Sequence, residues 1–300
     1  MEEVAQSEEM TVTANNITLV YDTFGNSSNP ALLLISGLGI QMILWDEIFC
    51  KAIAARGFWV IRFDNRDIGL STKFDEAGVP DLMELIQRVM MGEQPEVPYS
   101  LLDMAKDAIG LLDALNIESA HLVGASMGGM IAQMIAIHFP NRVRTLTSIM
   151  STTGNPELPQ PEPEVFGILV NKPPDNRDGY IEYSVEIWNL LNGPFYPLDE
   201  ELVRMRAAKI FDRSYYPWGT GRQLAAVITS GNRNELLKKV DIPTLIIHGE
   251  IDPLVPVEGG KETAAMIPNS KLLIIEGMGH NIPLQVAPQI IEAISDHAEH

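Results

Sequence analysis

The chain has 300 residues, 46% of them apolar, which is enough to bury a sizeable core and excludes a disordered or fibrous protein. Its 21 Lys and Arg stand against 40 Asp and Glu, and the formal charge of −19 repels phosphate backbones and anionic headgroups, so neither nucleic acid nor a membrane surface is an expected partner. One cysteine, Cys50, excludes a disulfide framework and a cysteine-rich zinc site; residues 1–10 lack the basic start and apolar core of a secretory signal, and a cytoplasmic protein is expected.

Residues 11–13 and 17–21 are β-rich runs joined by Asn15-Asn16, a pair suited to a tight hairpin. The rhythm then changes. An apolar run at 31–35 leads into Ser36-Gly37-Leu38-Gly39, a helical pattern through Trp45, Ile48, Phe49 and Ile53, and a second run at 59–63, which together make a βαβ unit. A small insertion, 75–99, carries Leu82, Leu85, Ile86, Val89 and Met90, a set that suits a further helix. The alternation resumes with a helix at 101–115, a strand at 120–123, a helix at 127–139 stopped by Pro140, and a strand at 143–150. From about 151 to 236 it breaks: Pro156, Pro159, Pro161 and Pro163 crowd together, and helical stretches follow with Tyr180, Tyr183, Trp188 and Trp218. Apolar runs at 244–247 and 272–275 restore it, and a last helix is expected at 286–297. The pattern predicts an α/β core in two parts, 1–150 and 237–300, interrupted by a helical cap over 151–236. Open α/β sheets bind ligands outside their strand carboxyl ends, so a cap there gives the aromatics a ligand to cover; a separate helical subdomain with its own aromatic core is the other use.

Gly124-Ala125-Ser126-Met127-Gly128 fits G-x-S-x-G between a predicted strand and a predicted helix, the setting a nucleophile elbow requires. A serine hydroxyl is a poor nucleophile at neutral pH and needs a base within reach and a third group to orient that base. Asp252, in Gly249-Glu250-Ile251-Asp252-Pro253, and His280, in Gly277-Met278-Gly279-His280, follow apolar runs and stand in the order serine, aspartate, histidine. Asp252 before a proline also suits a turn or a helix cap, Glu250 is its neighbouring rival, and His280 also suits a surface loop. His121, His138 and His248 sit within regular elements and compete poorly, and His297 and His300 belong to the tail. No histidine pair has the spacing of a local metal motif. Two backbone donors for an oxyanion are expected at Met127 and, from the glycine-flanked loop after the first parallel strand, Leu38.

Ser36-Gly37-Leu38-Gly39, Phe63-Asp64-Asn65-Arg66-Asp67-Ile68-Gly69-Leu70-Ser71, the elbow and the Asp252 and His280 loops together resemble the α/β-hydrolase superfamily over nearly the whole chain. Within it, the chain is similar to carboxylesterases of the aclacinomycin methylesterase type. Many relatives have histidine where Ser36 stands, which changes the hydrogen bonding that supports the oxyanion loop but not the Leu38 backbone donor. The resemblance implies an α/β-hydrolase fold: a mostly parallel eight-stranded sheet with an antiparallel start, flanked by helices and carrying a helical cap. Residues 64–71 are read as structural, with Arg66 and Asp67 anchoring loops near the site.

The expected activity is hydrolysis of a small-molecule carboxylic ester, with a short to medium acyl chain or a methyl ester, through an acyl-enzyme on Ser126 and with no cofactor or metal. Met42, Trp45, Trp188 and Trp218 are the candidate substrate-binding residues, although such residues more often pack a core. A C–C bond hydrolase of ring-cleavage diketones would use the same triad, and a non-catalytic ligand-binding member would keep the pocket alone. Ser126 argues against haloalkane dehalogenases and epoxide hydrolases, which need a carboxylate nucleophile at the elbow. Composition is compatible with a monomer or a homodimer.

Overall fold

Asn15 and Asn16 take φ of 48° and 64°, so the chain reverses in two residues between β1 (Met10–Ala14) and β2 (Ile17–Phe24). Asparagine tolerates this left-handed region, and such a turn matches the twist of the two strands. The computed structural model describes residues 4–299; residues 1–3 of the acidic N-terminal stretch and His300 of the tail lie outside the described residues.

The predicted apolar runs become β3 (Ala31–Ile35), β4 (Trp59–Phe63), β5 (Ala120–Ala125), β6 (Val143–Ile149), β7 (Thr244–Gly249) and β8 (Lys271–Ile275). All eight strands form one sheet in the order β1-β2-β4-β3-β5-β6-β7-β8. The β1–β2 and β2–β4 pairs are antiparallel and the others parallel, as expected. Strand side chains alternate between faces. Leu33, Ile35, Ile61, Phe63 and Leu122 join one apolar cluster, while Leu32, Leu34, Val60 and Val123 join another. Burial on both faces explains why these strands read as continuous apolar runs.

Among the helices, α1 (Glu47–Ala54) belongs to the second cluster, and α2 (Leu82–Met90) is the helix of the small insertion. Helices α3 (Leu101–Ala114) and α4 (Met127–His138) fill the first cluster, and α3 starts with a capping box between Ser100 and Asp103. Between β6 and β7 the chain forms α5 (Pro163–Val170), α6 (Arg177–Asn192), α7 (Glu200–Ser214), α8 (Trp218–Thr229) and α9 (Asn234–Leu237). Helices α10 (Glu258–Met266) and α11 (Ala287–Glu299) complete the chain.

The aromatics of the long insertion are divided between the two uses considered above. Tyr180, Phe211 and Tyr215 pack on one another, with ring centroids 4.8–5.7 Å apart, whereas Tyr183, Trp188 and Trp218 line a cavity, with Tyr180 serving both. Among the described residues, five ion pairs tie the insertion to the core: Arg206 with Asp46 at 2.8 Å, Lys209 with Glu47 at 3.5 Å, Arg213 with Glu9 at 2.8 Å and with Asp64 at 2.7 Å, and Arg222 with Asp67 at 2.8 Å. Gln41 adds hydrogen bonds to the Ile210 and Ser214 carbonyls at the end of α7. The segment 64–71 is therefore an anchor: Arg66 binds buried Asp107, Asp67 binds Arg222, and Asp64 also accepts the Met42 and Leu70 N–H groups.

Candidate active site

Ser126 stands between β5 and α4 with φ 55° and ψ −121°, an unfavourable conformation for a residue with a side chain. Close packing of two glycines makes the turn possible. A Cβ on Gly124 would lie 2.1 Å from the Gly128 carbonyl oxygen, and one on Gly128 would lie 2.0 Å from the Ile35 carbonyl oxygen. The serine amide donates to Ile149 of β6, and its carbonyl accepts from Ser151. The side chain is thereby held out at the carboxyl edge of the sheet.

Asp252 and His280 come from the loops after β7 and β8. His280 Nε2 is 3.0 Å from Ser126 Oγ, and His280 Nδ1 is 2.7 Å from Asp252 Oδ2. A carboxylate only accepts, so Nδ1 carries the proton and Nε2 presents its lone pair to the serine hydroxyl. Asp252 Oδ1 accepts the N–H groups of Leu254 and Val255 at 2.9 and 2.8 Å. Burial alone would raise this carboxyl, but its interactions with His280 and His248 outweigh burial and hold it at about 2, well inside the ionised range at neutral pH. Glu250, the rival acid, is exposed and accepts from the Gly277 amide.

The loop 36–39 runs against the serine: a Cβ on Gly37 would meet Ser126 Cβ at 3.3 Å. Among the described residues, neither the Leu38 nor the Met127 amide has a hydrogen-bond acceptor, so both remain available as donors. Ser36 is buried, and its hydroxyl supports nothing. Support comes instead from Asn65, which donates to the Ser36 carbonyl at 3.0 Å, and from Gln223 of α8, which accepts the Gly39 amide at 2.9 Å.

Ser126, His280 and Leu38 open on a cavity of about 1000 Å³ between the sheet edge and the long insertion. Trp45, Trp188 and Trp218 line it, as do Val79 to Met83 at the start of α2. Met42 does not. Residues 42–44 form a single tight 3-10 turn whose first side chain is fully buried, with its amide bonded to Asp64, so Met42 is an interior residue and the expectation that it contacts substrate is corrected.

Two features were hidden from sequence reasoning. The end of α6 holds the histidine loop: the His280 amide donates to the Leu191 carbonyl at 2.8 Å, and Asn281 Nδ2 donates to Asn192 Oδ1 at 2.6 Å. His248, set aside as the end of a strand, brings its Nε2 to 3.4 Å from Asp252 Oδ2. The four-residue interval between His248 and Asp252 was the signal available for the second; the first joins segments 89 residues apart and had none. Among the described residues no three His, Cys, Asp or Glu side chains are grouped to hold a metal ion. No described helix is long and apolar enough to cross a membrane.

A strained serine on a strand-to-helix elbow, at the carboxyl edge of a mostly parallel eight-stranded sheet, is the architecture of a hydrolase. Residues 30–285 match the alpha/beta hydrolase fold family, and the chain belongs to it. It is 29% identical to rhodomycin D methylesterase DauP of Streptomyces sp. (strain C5), over 95% of this chain and 96% of that protein. A 2-hydroxy-6-oxononadienedioate/2-hydroxy-6-oxononatrienedioate hydrolase of Cupriavidus pinatubonensis is 32% identical over 57% of this chain and 59% of its own length. The crystal structure of the enol-lactonase from Burkholderia xenovorans LB400 superposes with a TM-score of 0.74 at 19% identity, covering 97% of this chain and 100% of that one, and shares the fold.

Proposed function

We propose that this hydrolase cleaves carboxylic esters, with a short to medium acyl chain or as methyl esters, through an acyl-enzyme on Ser126. The observation that carries the reading is the unbroken chain Ser126 Oγ, His280, Asp252, spaced at 3.0 and 2.7 Å and facing a large cavity. Ser126 Oγ attacks the ester carbonyl while His280 Nε2 takes its proton, and Asp252 holds the ring and offsets its new charge. The Leu38 and Met127 amides receive the oxyanion, a contribution of about 3 kcal/mol per donor in comparable sites. His280 then protonates the departing alcohol, water adds to the acyl-enzyme with the same nitrogen as base, and the acid leaves with Ser126 Oγ reprotonated.

The relationship to a C–C bond hydrolase of a dianionic substrate supplies the second reading. The cavity favours the ester. Its basic side chains among the described residues are Arg206 and Lys172; Arg206 is paired with Asp46, and Lys172 lies 4.7 Å from the centre of the Trp218 ring. Among the described lining residues this leaves Lys172 as the one ammonium or guanidinium without a carboxylate partner, against the two carboxylates of a dianionic substrate. Hydrolysis of p-nitrophenyl esters from acetate to palmitate, run beside Ser126→Ala and beside a ring-cleavage diketone, tests the proposal. Turnover abolished by the substitution is expected; absent ester turnover, or turnover that survives in Ser126→Ala, overturns it, and cleavage of the diketone alone selects the second reading.

A further inference from the structure

Asp252 is shared by two imidazoles. The two N–H groups on its Oδ1 come from Leu254 and Val255, in its own loop, so they orient the carboxylate within the loop and leave its orientation relative to the sheet to other contacts. A side-chain contact to the sheet comes from His248, the penultimate residue of β7, which is fully buried. Its Nε2 is 2.8 Å from the Val255 carbonyl oxygen and 3.4 Å from Asp252 Oδ2. A carbonyl only accepts, so this nitrogen bears a hydrogen, which bonds the Val255 carbonyl while Asp252 Oδ2 lies in longer contact beside it. The opposite nitrogen, Nδ1, has no hydrogen-bond partner and packs against α10 at Gly260, where a Cβ would approach it to 2.4 Å. Strand β7 fixes one end of the ring, the missing Cβ at Gly260 makes room for its far edge, and the loop 252–255 closes on the N–H.

We propose that His248 is a positioning residue for the Asp252–His280 pair, its Nε2–H fastening the Asp252 loop to β7 and holding Oδ2 in line with His280 Nδ1. The inference rests on the serine esterase reading. His248 itself does not line the cavity and reaches it only through the backbone carbonyl of Val255, so its effect is expected in the chemical step rather than in ester binding.

The test compares wild type, His248→Phe, which keeps a ring and loses the donor, and His248→Gln, whose amide N–H reaches toward the position of Nε2. Each is assayed for p-nitrophenyl butyrate turnover and for the rate of Ser126 phosphonylation by a fluorophosphonate, with thermal melting as the check on folding. His248→Phe is expected to lose about tenfold in kcat at unchanged KM, with an equal loss in phosphonylation rate, and His248→Gln to return to within about threefold of wild type. Equal kcat in wild type and a folded His248→Phe overturns the positioning role, as does a loss confined to KM. If His248→Phe does not fold, His248→Gln decides alone: a kcat more than about tenfold below wild type, with unchanged melting, overturns the proposal. A wild-type protein that neither turns over the ester nor reacts with the fluorophosphonate overturns the esterase reading itself, and the positioning role falls with it.

Discussion

Arg222→Met probes the contact that fastens α8 to the core. Arg222 and Asp67 are 1% and 0% exposed and meet through two hydrogen bonds of 2.8 Å. The guanidinium also donates to the Gly78 carbonyl and the Tyr216 hydroxyl. Methionine fills much of the space and leaves Asp67 with the Tyr99 hydroxyl and the Phe74 amide as donors, too few for a carboxylate cut off from water. Removing one partner of a buried pair costs about 3–5 kcal/mol, most of it the penalty of the charge left behind. With an unfolding entropy of about 2.1 cal/mol/K per residue over 300 residues, roughly 0.6 kcal/mol/K, the melting midpoint should fall by about 5–8 °C. Scanning calorimetry on wild type, Arg222→Met and the double variant with Asp67→Asn measures this. Asparagine suits the positive φ of 69° at position 67 and removes the stranded charge, so the double variant should regain more than half of the loss. A single variant melting within about 2 °C of wild type, or a double variant no better than the single, would refute the reasoning.

Asp252 contributes stability that depends on acid. Its folded carboxyl, held at about 2, lies below its ordinary value of 3.8, so the stabilisation is complete above about pH 4–5 and is lost as pH falls through 2. The amount is about 2 kcal/mol. Urea midpoints at pH 6 and pH 3 should therefore converge more in Asp252→Asn than in wild type, and an identical acid loss in both would contradict the assignment. Gly128→Ala is expected to abolish activity and to cost about 3 kcal/mol or more, because its Cβ would stand 2.0 Å from a backbone oxygen of β3 that has no room to retreat. Expression yield, melting and fluorophosphonate labelling read this out together, and a fully active Gly128→Ala would show that the elbow is looser than its geometry.

What could be read from the sequence was whatever a short stretch encodes by itself. Ser126 is announced by glycines two residues away on each side, and Asp252 and His280 by apolar runs that end in turn residues. Strands buried on both faces leave uninterrupted apolar letters, which is why the runs of β3 to β7 were visible, and the edge strand β8 kept an apolar run although its start is exposed. Met42 was misjudged because an apolar residue close to the oxyanion loop suits a pocket wall as well as a core, and nothing in the sequence shows that the tight turn 42–44 sends it inward. Asp64 with Arg213, Asp67 with Arg222, and Gln223 with the Gly39 amide each join residues more than 140 positions apart. Such pairs depend on how the long insertion settles on the core, and one chain without relatives aligned to it carries no local trace of that.

The bonds from Leu191 and Asn192 to the histidine loop bear on how such an enzyme could be re-engineered. Helix α6 shapes the chamber through Tyr183 and Trp188 and, at its last turn, holds the backbone that carries His280. On the proposed esterase reading, substrate choice and proton transfer therefore share one piece of hardware. A chimera that imports a foreign cap for a new substrate would also import a foreign support for its base, so a transplant should keep the native junction from Leu191 through Tyr196 and exchange only what lies upstream.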